Sequence, residues 1–430
     1  MKKGGFFQLV PFIIFVSLFL ISTIWFGSKI SPIFACLLAV MFSMFTFIEK
    51  TSFNKKIEIF VSGASNTTVI SMAYIFIFAS IFTYVLEKIG AISAAVYFSL
   101  KLIPSALILP GFFTVIALFA VAIGSSMGTI AAFLPIGIGL AYKLGISPAL
   151  ISGIVVGGAM LGDNLSIISD TTIAATRTTG CRMQDKFYAN LALVTPAFFL
   201  TLLVLIFINN SIVARDLSLF VAPIGLDGLI KLIPYLLILV LALWGLDVIA
   251  VLIVGILAAI SIGIYLGYFT FVSGSSLFLE GFTKSKSIHE VLILSFFVAG
   301  LSKMAEHNGG IDYLLDRLSK RVKSKAEAEI AISALIFLVN MAVAINTIAI
   351  LITGPVAKRI AGKFNITAKR TAALLDIFSC ICQGVIPYAP QLLLAGSIAG
   401  VTSVSIIPHL HYQFFILIIA IVSVGRGCFK

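Results

Sequence analysis

The sequence has few charged residues and few cysteines. Only 11% of its 430 residues are Asp, Glu, Lys or Arg, whereas 60% are hydrophobic; a soluble domain is about 25% charged. A chain with so little charge cannot cover a water-facing surface, so a soluble fold is excluded. The five cysteines form neither a disulfide framework nor a paired metal motif. The sequence also has no HExxH motif, nucleophile elbow or phosphate loop, so neither an enzyme nor a resident cofactor is expected.

Long apolar runs predict the membrane-spanning helices, each of which needs about 20 residues. The first run follows two lysines, as in a signal peptide, but it extends from Phe6 to about Phe26 with no cleavage site after it, so we predict a spanning helix there. The ten predicted crossings are at 6–27, 31–48, 67–86, 148–176, 188–209, 229–244, 248–271, 288–304, 368–396 and 410–427.

Two further apolar stretches, 108–143 and 328–361, are interrupted at their centres. The interruptions are the runs of small and polar residues GSSMGT at 124–129 and AINTIA at 344–349. Backbone that leaves helical geometry at membrane depth must be buried in protein or line a wet cavity. We therefore predict that each stretch is a re-entrant helical hairpin.

The positions of Lys and Arg predict the orientation in the membrane. With the N-terminus inside, 21 of the 29 basic residues fall on the inner side and eight on the outer side, as the positive-inside rule requires. The chain is therefore predicted to be a multi-pass protein of the cell (inner) membrane with both termini in the cytoplasm. This distribution explains the net charge of +12 without a nucleic-acid partner.

The two halves of the sequence repeat. A shift of 220 residues aligns 62–176 with 282–396 without a gap and superposes the interruptions of the two hairpins. The matched pairs include Gly90 with Gly310 and Pro135 with Pro355. Each half has five predicted crossings, an odd number, so the second copy must enter the membrane upside down. We predict an all-α polytopic membrane protein of two inverted repeats, 1–210 and 221–430, each with a re-entrant hairpin and a broken helix.

The segment MLGDNLSIISDTTIAA at 160–175 contains two carboxylates, Asp163 and Asp170, inside a predicted crossing. A carboxylate at membrane depth is costly unless it faces a wet cavity or binds a cation or proton, so a functional site is the default interpretation. The same segment offers neutral oxygen ligands at Asn164, Ser166, Thr171 and Thr172.

The repeat mate of this segment, SCICQGVIPYAPQLLLA at 379–395, aligns Gln383 with Asp163 and contains two prolines. Proline removes helical hydrogen bonds and frees carbonyl groups. Both segments are therefore predicted to be broken helices whose ends and carbonyls hold ions. Asp376 lies seven residues before Gln383, on the same helical face, and has no acidic repeat mate. It is either part of the site or a structural tie between helices.

These residues together predict one composite cation site, to which Gln383 adds a further neutral oxygen ligand. Asp163, Asp170 and Asp376 would bind the cation or the protons, because carboxylates suit a hard cation such as sodium and crowded carboxylates also take up protons. At the hairpin tips, hydroxyl and amide side chains either contact the transported ligand or only cap helix ends. These tip residues are Ser126, Thr129, Asn346 and Thr347.

Two motifs resemble those of a known family. GDNLSIISDTT at 162–172 resembles the GD-x-x-S-x-x-SDTT signature of the NhaC-type sodium/proton antiporters, and LLDIFSCICQGVIPYAPQ at 374–391 is similar to their second signature, an LxD pattern followed by an IPW-like segment. The second motif departs from the family pattern at Ile377, Tyr388 and Ala389. The resemblance implies the fold of the wider ion-transporter superfamily, whose homodimers combine scaffold helices with moving transport parts. Here the scaffold would be 6–48 and 229–271, and the transport parts 62–209 and 282–427.

Residues and resemblance together predict a secondary transporter that exchanges external protons for internal sodium. Its expected partners are the bilayer, sodium and protons. The alternative is a sodium- or proton-coupled carrier of an amino acid or small carboxylate on the same fold, with the hairpin-tip side chains binding that organic solute. A cation channel fits less well, because an inverted repeat within one chain is typical of alternating access.

Overall fold

Helices form all of the regular secondary structure in the part of the chain that the computed structural model describes, namely residues 5–25, 32–47, 51–212, 226–284, 286–319 and 322–426. Within these ranges nine helical segments are long and apolar enough to span a bilayer, and a pair bent by 61°, Ser403–His409 with His411–Gly425, makes a tenth. The chain is therefore an all-helical, polytopic membrane protein, as its composition predicted.

The first half begins several of its helices at side chains that cap the backbone. Asn66, Ser125, Ser147 and Ser169 each accept a backbone N–H in the first turn of the helix that follows, which satisfies a donor that the helix leaves free. The described helices are α1 (Val10–Trp25), α2 (Pro32–Ser43), α3 (Phe53–Ala64), α4 (Thr67–Lys88), α5 (Ala91–Leu102), α6 (Ile108–Ile123), α7 (Ser126–Leu144), α8 (Pro148–Leu165), α9 (Asp170–Thr179) and α10 (Met183–Ile212).

The second half follows the same plan, with capping side chains at Asp247, Thr270, Ser324 and Thr367. Its described helices are α11 (Leu226–Ile230), α12 (Ile233–Leu243), α13 (Val248–Tyr265), α14 (Phe271–Thr283), α15 (Lys286–His307), α16 (Gly310–Ser319), α17 (Lys325–Val343), α18 (Asn346–Lys363), α19 (Ala368–Val385), α20 (Pro390–Ala399), α21 (Ser403–Ile406) and α22 (His411–Arg426).

The helices of the two halves are spaced alike. The bounds of α19 and α20 equal those of α8 and α9 shifted by 220 residues. The hairpin tips also match, since α6 ends before Gly124 with φ of +70° and α17 ends before Ala344 with φ of +58°. Residues with a Cβ rarely adopt this left-handed conformation. The tip geometry is therefore the same in both halves even where the glycine is not.

Several predicted crossings differ in extent from the helices. The crossing predicted at 229–244 contains a helix of only 11 residues, α12, and the one predicted to begin at residue 188 begins at Met183. The predicted interruptions at 124–129 and 344–349 are only two residues long in the structure. The helices on either side extend into the rest, so the hairpin legs are 16 to 19 residues long. The crossings whose predicted ends reach beyond the described residues are 6–27, 31–48 and 410–427.

The interrupted helices occupy the interior of the bundle. The apolar windows of Pro148–Thr179 and Ala368–Ala399 are 83% and 94% buried, whereas that of α10 is 28% buried. Two glycines let α8 lie directly on hairpin leg α6, since a Cβ at Gly158 would overlap Ile116 and one at Gly162 would overlap Ala120. Lipid gives helices no hydrophobic drive to associate, so close contacts of this kind stabilise the bundle.

Candidate functional site

Two short non-helical segments interrupt the buried helices. In the first half α8 gives way to α9 across 166–169, and Ser169 Oγ accepts the N–H of Thr172 at 3.3 Å to cap α9. In the second half α19 gives way to α20 across 386–389, and Pro390 opens α20. A proline fits there because the first N–H of a helix has no partner within the helix. Both predicted interruptions are present.

Two residues predicted as ligands at the first break, Ser166 and Thr171, have hydrogen-bond partners within a few residues of the chain. Ser166 Oγ accepts the N–H of Ile168 at 3.3 Å, and Thr171 Oγ1 lies 3.1 Å from Ser169 Oγ. Ser166, Ser169 and Thr171 are buried. Their hydroxyl groups hold the shape of the break.

Asp163 lies near the middle of the 32-residue span Pro148–Thr179 and is 5% exposed. Its Oδ1 accepts the backbone N–H of Ser126 at 3.1 Å. Because Ser126 is the first residue of α7, the carboxylate lies at the positive end of a helix dipole. The first hairpin tip therefore lies beside the centre of the broken helix.

Asp376 forms a buried ion pair with a lysine that sequence analysis missed. Its Oδ2 lies 2.9 Å from Lys186 Nζ, and the two side chains are 0% and 1% exposed. The same oxygen accepts from Asn190 Nδ2 at 2.6 Å, while Asp376 Oδ1 has no hydrogen-bond partner. Lys186 and Asn190 are one turn apart on α10, so this helix presents a polar face to α19.

Three oxygen atoms surround the Lys186 ammonium group; we call them the oxygen cage. Besides Asp376 Oδ2, they are the carbonyl oxygen of Asn164 at 3.0 Å and Oγ1 of Thr172 at 2.6 Å. Asn164 lies in the last turn of α8 and Thr172 in the first turn of α9, so the lysine connects both sides of the first break to the second half. Carboxylate, carbonyl and hydroxyl oxygens are also the ligands that a hard cation prefers.

Asn164 connects the oxygen cage to the last helix. Its Nδ2 donates to Tyr412 Oη at 2.8 Å, and its carbonyl oxygen also accepts from Asn190 Nδ2 at 2.7 Å. The Oδ1 atoms of Asn164 and Asn190, like that of Asp376, are buried without a hydrogen-bond partner. Buried polar atoms are almost always paired, so three unpaired oxygens beside one ion pair mark a place where an ion or water can bind.

A second polar chain joins the two hairpin tips. Gln383 donates through Nε2 to the carbonyl oxygen of Ala344 at 2.9 Å and to Oε1 of Gln391 at 3.0 Å. Gln391 donates through its own Nε2 to Ser126 Oγ at 3.2 Å. The predicted residue Gln383 therefore touches the second tip, and Gln391, which lies in the second motif but was not singled out, reaches the first.

The other predicted tip residues have local partners. Thr129 Oγ1 donates to the carbonyl oxygen of Ser125, and Asn346 Oδ1 accepts the N–H of Thr347. These contacts lie within the tips: Asn346 satisfies a backbone N–H in the first turn of α18, and Thr129 bonds the carbonyl group one turn back, at the cap of α7. The two alternatives for these residues stay predictions.

Asp170 does not join the two buried carboxylates. It is exposed at the start of α9, and an acidic neighbour that acts on it is Asp247, the cap of α13. Within the described residues no three His, Cys, Asp or Glu side chains are grouped so that they could hold a metal ion. The three predicted carboxylates have different surroundings: Asp163 accepts from the hairpin tip, Asp376 pairs with Lys186 and Asp170 is exposed. Their joint role in one cation site stays a prediction.

Two basic residues that the sequence assigned to the cytoplasmic side are buried in ion pairs. Lys186 is one, because α10 begins earlier than predicted. Arg370 is the other, and its Nη2 lies 2.7 Å from Glu329 Oε2 between α19 and α17. The predicted inner side then keeps 19 basic residues against eight, so the asymmetry on which the predicted orientation rests remains.

The two breaks differ in exposure. Ile167 and Ile168 in the first are 51% and 50% exposed. In the second, Tyr388 is 2% exposed and three phenylalanines of α1 meet its ring edge-on. The ring centroids of Phe12, Phe15 and Phe19 lie 5.8, 5.2 and 6.3 Å from that of Tyr388.

Interrupted helices that bring carboxylates, a lysine and amides together inside a multi-pass bundle define a class, the secondary transporters. A family model described as the Na+/H+ antiporter family matches residues 5–210 and again 221–430. The chain belongs to this family, as its two motifs predicted.

Three relatives align over most of this chain. The Na(+)/H(+) antiporter NhaC of Alkalihalophilus pseudofirmus is 24% identical over 326 residues, covering 71% of this chain and 70% of the relative. The Na(+)/H(+) antiporter NhaC of Bacillus subtilis is 26% identical over 369 residues, covering 79% and 80%. The malate-2H(+)/Na(+)-lactate antiporter of Bacillus subtilis is 21% identical over 363 residues, covering 79% and 78%. The predicted function, sodium/proton antiport, agrees with the family and with two of these relatives.

Proposed function

We propose that the chain exchanges sodium for protons by alternating access, with Asp163 and Asp376 as the carboxylates that bind the cations. The observation that carries this proposal is the Lys186 ammonium group inside the oxygen cage. Sodium takes the same ligand types, so sodium and the ammonium group compete for these oxygens. The unpaired Oδ1 atoms of Asp376, Asn164 and Asn190 supply the further ligands that an incoming ion needs.

Charge balance explains why a proton leaves when sodium binds. A sodium ion beside Lys186 would add a second positive charge to a buried region, where uncompensated charge is costly. Loss of one proton from the site restores the original charge. The site then carries either a proton or a sodium ion across the membrane, but not both together. This exclusion is the coupling that an antiporter requires.

For the architecture we propose two inverted repeats, 1–210 and 221–430. The equal spacing of helices at 220 residues and the two separate family matches support this division. The tip residues Ser126 and Ala344 contact Asp163 and Gln383, which lie near the middle of their spans. These contacts support re-entrant hairpins rather than pairs of full crossings. We also propose that both termini are cytoplasmic and that the protein is a homodimer.

Within this architecture we assign 6–48 and 229–271 to a scaffold and 62–209 and 282–427 to the transport parts. The unequal exposure of the two breaks supports alternating access. Tyr388 is covered by scaffold helix α1, whereas Ile168 at the matching position of the first half is half exposed. In the opposite state the cover over the second break opens and the first break closes.

A small carboxylate coupled to sodium and protons is a second candidate substrate. One relative is a malate-2H(+)/Na(+)-lactate antiporter. The observation that favours this candidate is Lys186, because a solute carboxylate could pair with its ammonium group in place of Asp376.

The test is transport by the purified chain in proteoliposomes that contain a pH-sensitive dye. An inward sodium jump should drive protons outward in the wild type, and Asp376→Asn should abolish this flux. Lys363→Met, which removes an exposed lysine of α18, is the matched control and should behave as the wild type. Wild-type liposomes that move no protons on a sodium jump but take up labelled malate or lactate would replace sodium/proton exchange with the second candidate.

A further inference from the structure

A cavity of about 570 Å³ lies away from the oxygen cage, between the C-terminal ends of α4 and α7. Helix α5 and Ile398 of α20 complete its walls. The described residues that line it include none of the oxygen cage and none of the hairpin tips. Small-molecule sites typically enclose about 300–1,000 Å³, so this cavity is large enough for a ligand of its own.

Two opposite charges face this cavity without pairing with each other. Glu87 lies in the last turn of α4 and Lys143 in the last turn of α7, and both side chains are exposed. Within the described part of the chain, neither of them has an ion-pair partner. We call the end of the cavity between these two residues the mouth. A ligand that suits both charges carries one positive and one negative group.

Glu87 occupies a position that its own helix disfavours. The C-terminal end of a helix carries partial negative charge, which stabilises cations and repels carboxylates. Two neighbouring lysines have other partners: Lys88 Nζ lies over the ring of Tyr84, 5.3 Å from its centroid, and Lys231 Nζ donates to Tyr268 Oη. A positive group on a ligand would therefore be stabilised by both the Glu87 carboxylate and the end of α4.

Below the mouth the cavity is lined mainly by apolar side chains. Along α7 it extends from Lys143 back to Pro135, which is about 12 Å at 1.5 Å per residue. Ile138 of α7 and Ile398 of α20 line this part. Charged residues at the ends of spanning helices lie at the level of the lipid headgroups, and the apolar residues deeper in the helix lie at the level of the acyl chains. The cavity therefore matches a molecule with a zwitterionic head and an apolar tail.

We propose that this cavity is a binding site for a phospholipid with a phosphoethanolamine headgroup. Lys143 binds the lipid phosphate, and the exposed hydroxyl group of Ser93 on α5 supplies a further donor. Glu87 accepts hydrogen bonds from the primary ammonium group. Part of an acyl chain lies against Ile138 and Ile398. Basic pockets between membrane-spanning helices bind lipid headgroups in this way.

This site is separate from the proposed sodium/proton exchange, so its test does not depend on transport. The purified full-length chain in detergent is titrated with phosphatidylethanolamine, phosphatidylcholine or phosphatidylglycerol of the same acyl chains, and the apparent Kd is taken from the shift in unfolding temperature. Phosphatidylethanolamine should bind about tenfold more tightly than the other two. The trimethylammonium group of phosphatidylcholine cannot donate a hydrogen bond to Glu87, and the anionic phosphatidylglycerol offers that carboxylate no positive group.

Glu87→Gln and Lys143→Gln should affect lipid binding differently. Glu87→Gln should weaken phosphatidylethanolamine to the level of phosphatidylcholine and should leave phosphatidylglycerol no weaker than in the wild type. Lys143→Gln should weaken all three lipids about three- to tenfold, because all three carry the phosphate. Both residues are exposed, so a general loss of stability would not produce this pattern.

Lys101→Gln is the matched control, since Lys101 is an exposed lysine of α5 that does not line the cavity. It should leave the apparent Kd of every lipid within about twofold of the wild type. Ile138→Trp tests the apolar part without changing a charge. It should fill the space for the acyl chain and weaken all three lipids.

Four results would overturn this assignment. They are equal binding of the three lipids by the wild type, a preference for phosphatidylethanolamine that survives Glu87→Gln, weakening by Lys101→Gln equal to that by Lys143→Gln, and unchanged lipid binding in Ile138→Trp. Soluble phosphoethanolamine supplies the same headgroup without acyl chains. If it stabilised the protein at the same concentration as the lipid, the ligand would be a free solute and the lipid site would be refuted.

Discussion

Removing Lys186 tests the oxygen cage most directly. Lys186→Met keeps the apolar stem of the side chain and removes the ammonium group, which leaves Asp376 ionised in a buried site with Asn190 as a remaining donor. Breaking one partner of a buried ion pair costs about 3–5 kcal/mol, because the other charge stays buried. We expect the variant to unfold at a lower temperature than the wild type in sodium-free buffer.

Sodium should reverse much of this loss. In the variant the oxygen cage has no cation of its own, so sodium binds there without competition from Lys186. A ligand that binds only the folded protein stabilises it by about 2.7 kcal/mol at 100 times its Kd and about 4.1 kcal/mol at 1,000 times. These values are close to the cost of the broken pair. The stabilisation by sodium should therefore be larger in the variant than in the wild type.

The assay is thermal unfolding of purified protein in detergent while NaCl replaces choline chloride at constant ionic strength. Lys186→Arg, which keeps the positive charge, is the control and should show no enlarged sodium effect. The double variant Lys186→Met with Asp376→Asn has neither charge, so it should be more stable than Lys186→Met alone and should lose the sodium effect. Equal sodium stabilisation in the wild type and Lys186→Met would refute the competition between sodium and the ammonium group.

Three further predictions follow from the site. Asp163→Asn should abolish sodium-dependent proton flux in liposomes, whereas Asp170→Asn, at an exposed position, should retain measurable flux; equal loss in both would contradict the separation of these carboxylates. Gln383→Ala should raise the sodium concentration for half-maximal flux and leave the maximal rate within about threefold, because it removes neutral hydrogen bonds of about 1 kcal/mol each; a folded but inactive variant would show a larger role. Gly162→Leu should lower the unfolding temperature or prevent folding, because any Cβ there meets Ala120, and overpacking of this kind costs about 1–3 kcal/mol; wild-type stability by the same melting assay would contradict the close contact of α8 with α6.

The sequence predicts features of the site that depend on local residues. The breaks and tips were found because glycine, proline and short polar runs interrupt apolar stretches, and such interruptions act within a few residues. Asp163 and Gln383 were found for the same reason, since each lies beside a break.

The sequence could not predict which way side chains point after a break, or which residues distant in the chain come into contact. Asp163 and Asp170 are seven residues apart and would share one face of a continuous helix, but four non-helical residues between them change the direction of the chain. Asp170 therefore faces outward while Asp163 faces the hairpin. Lys186 was missed because its role depends on contact with Asp376, 190 residues away in the chain. The sequence does carry one signal, since Lys186 and Asn190 lie one turn apart immediately before a long apolar run.

The two halves share a backbone plan but not the residues that carry charge. At the repeat positions of Asp163 and Asp376 the other half has Gln383 and Val156. A second charged copy would require more buried charges within the same membrane depth, and each of them would have to be paired to be tolerated. One half instead supplies Asp163 and Lys186, and the other supplies Asp376 together with neutral amides that reach both tips. The ion pair therefore joins the halves, and a cation that bound at the proposed site would act on both of them at once.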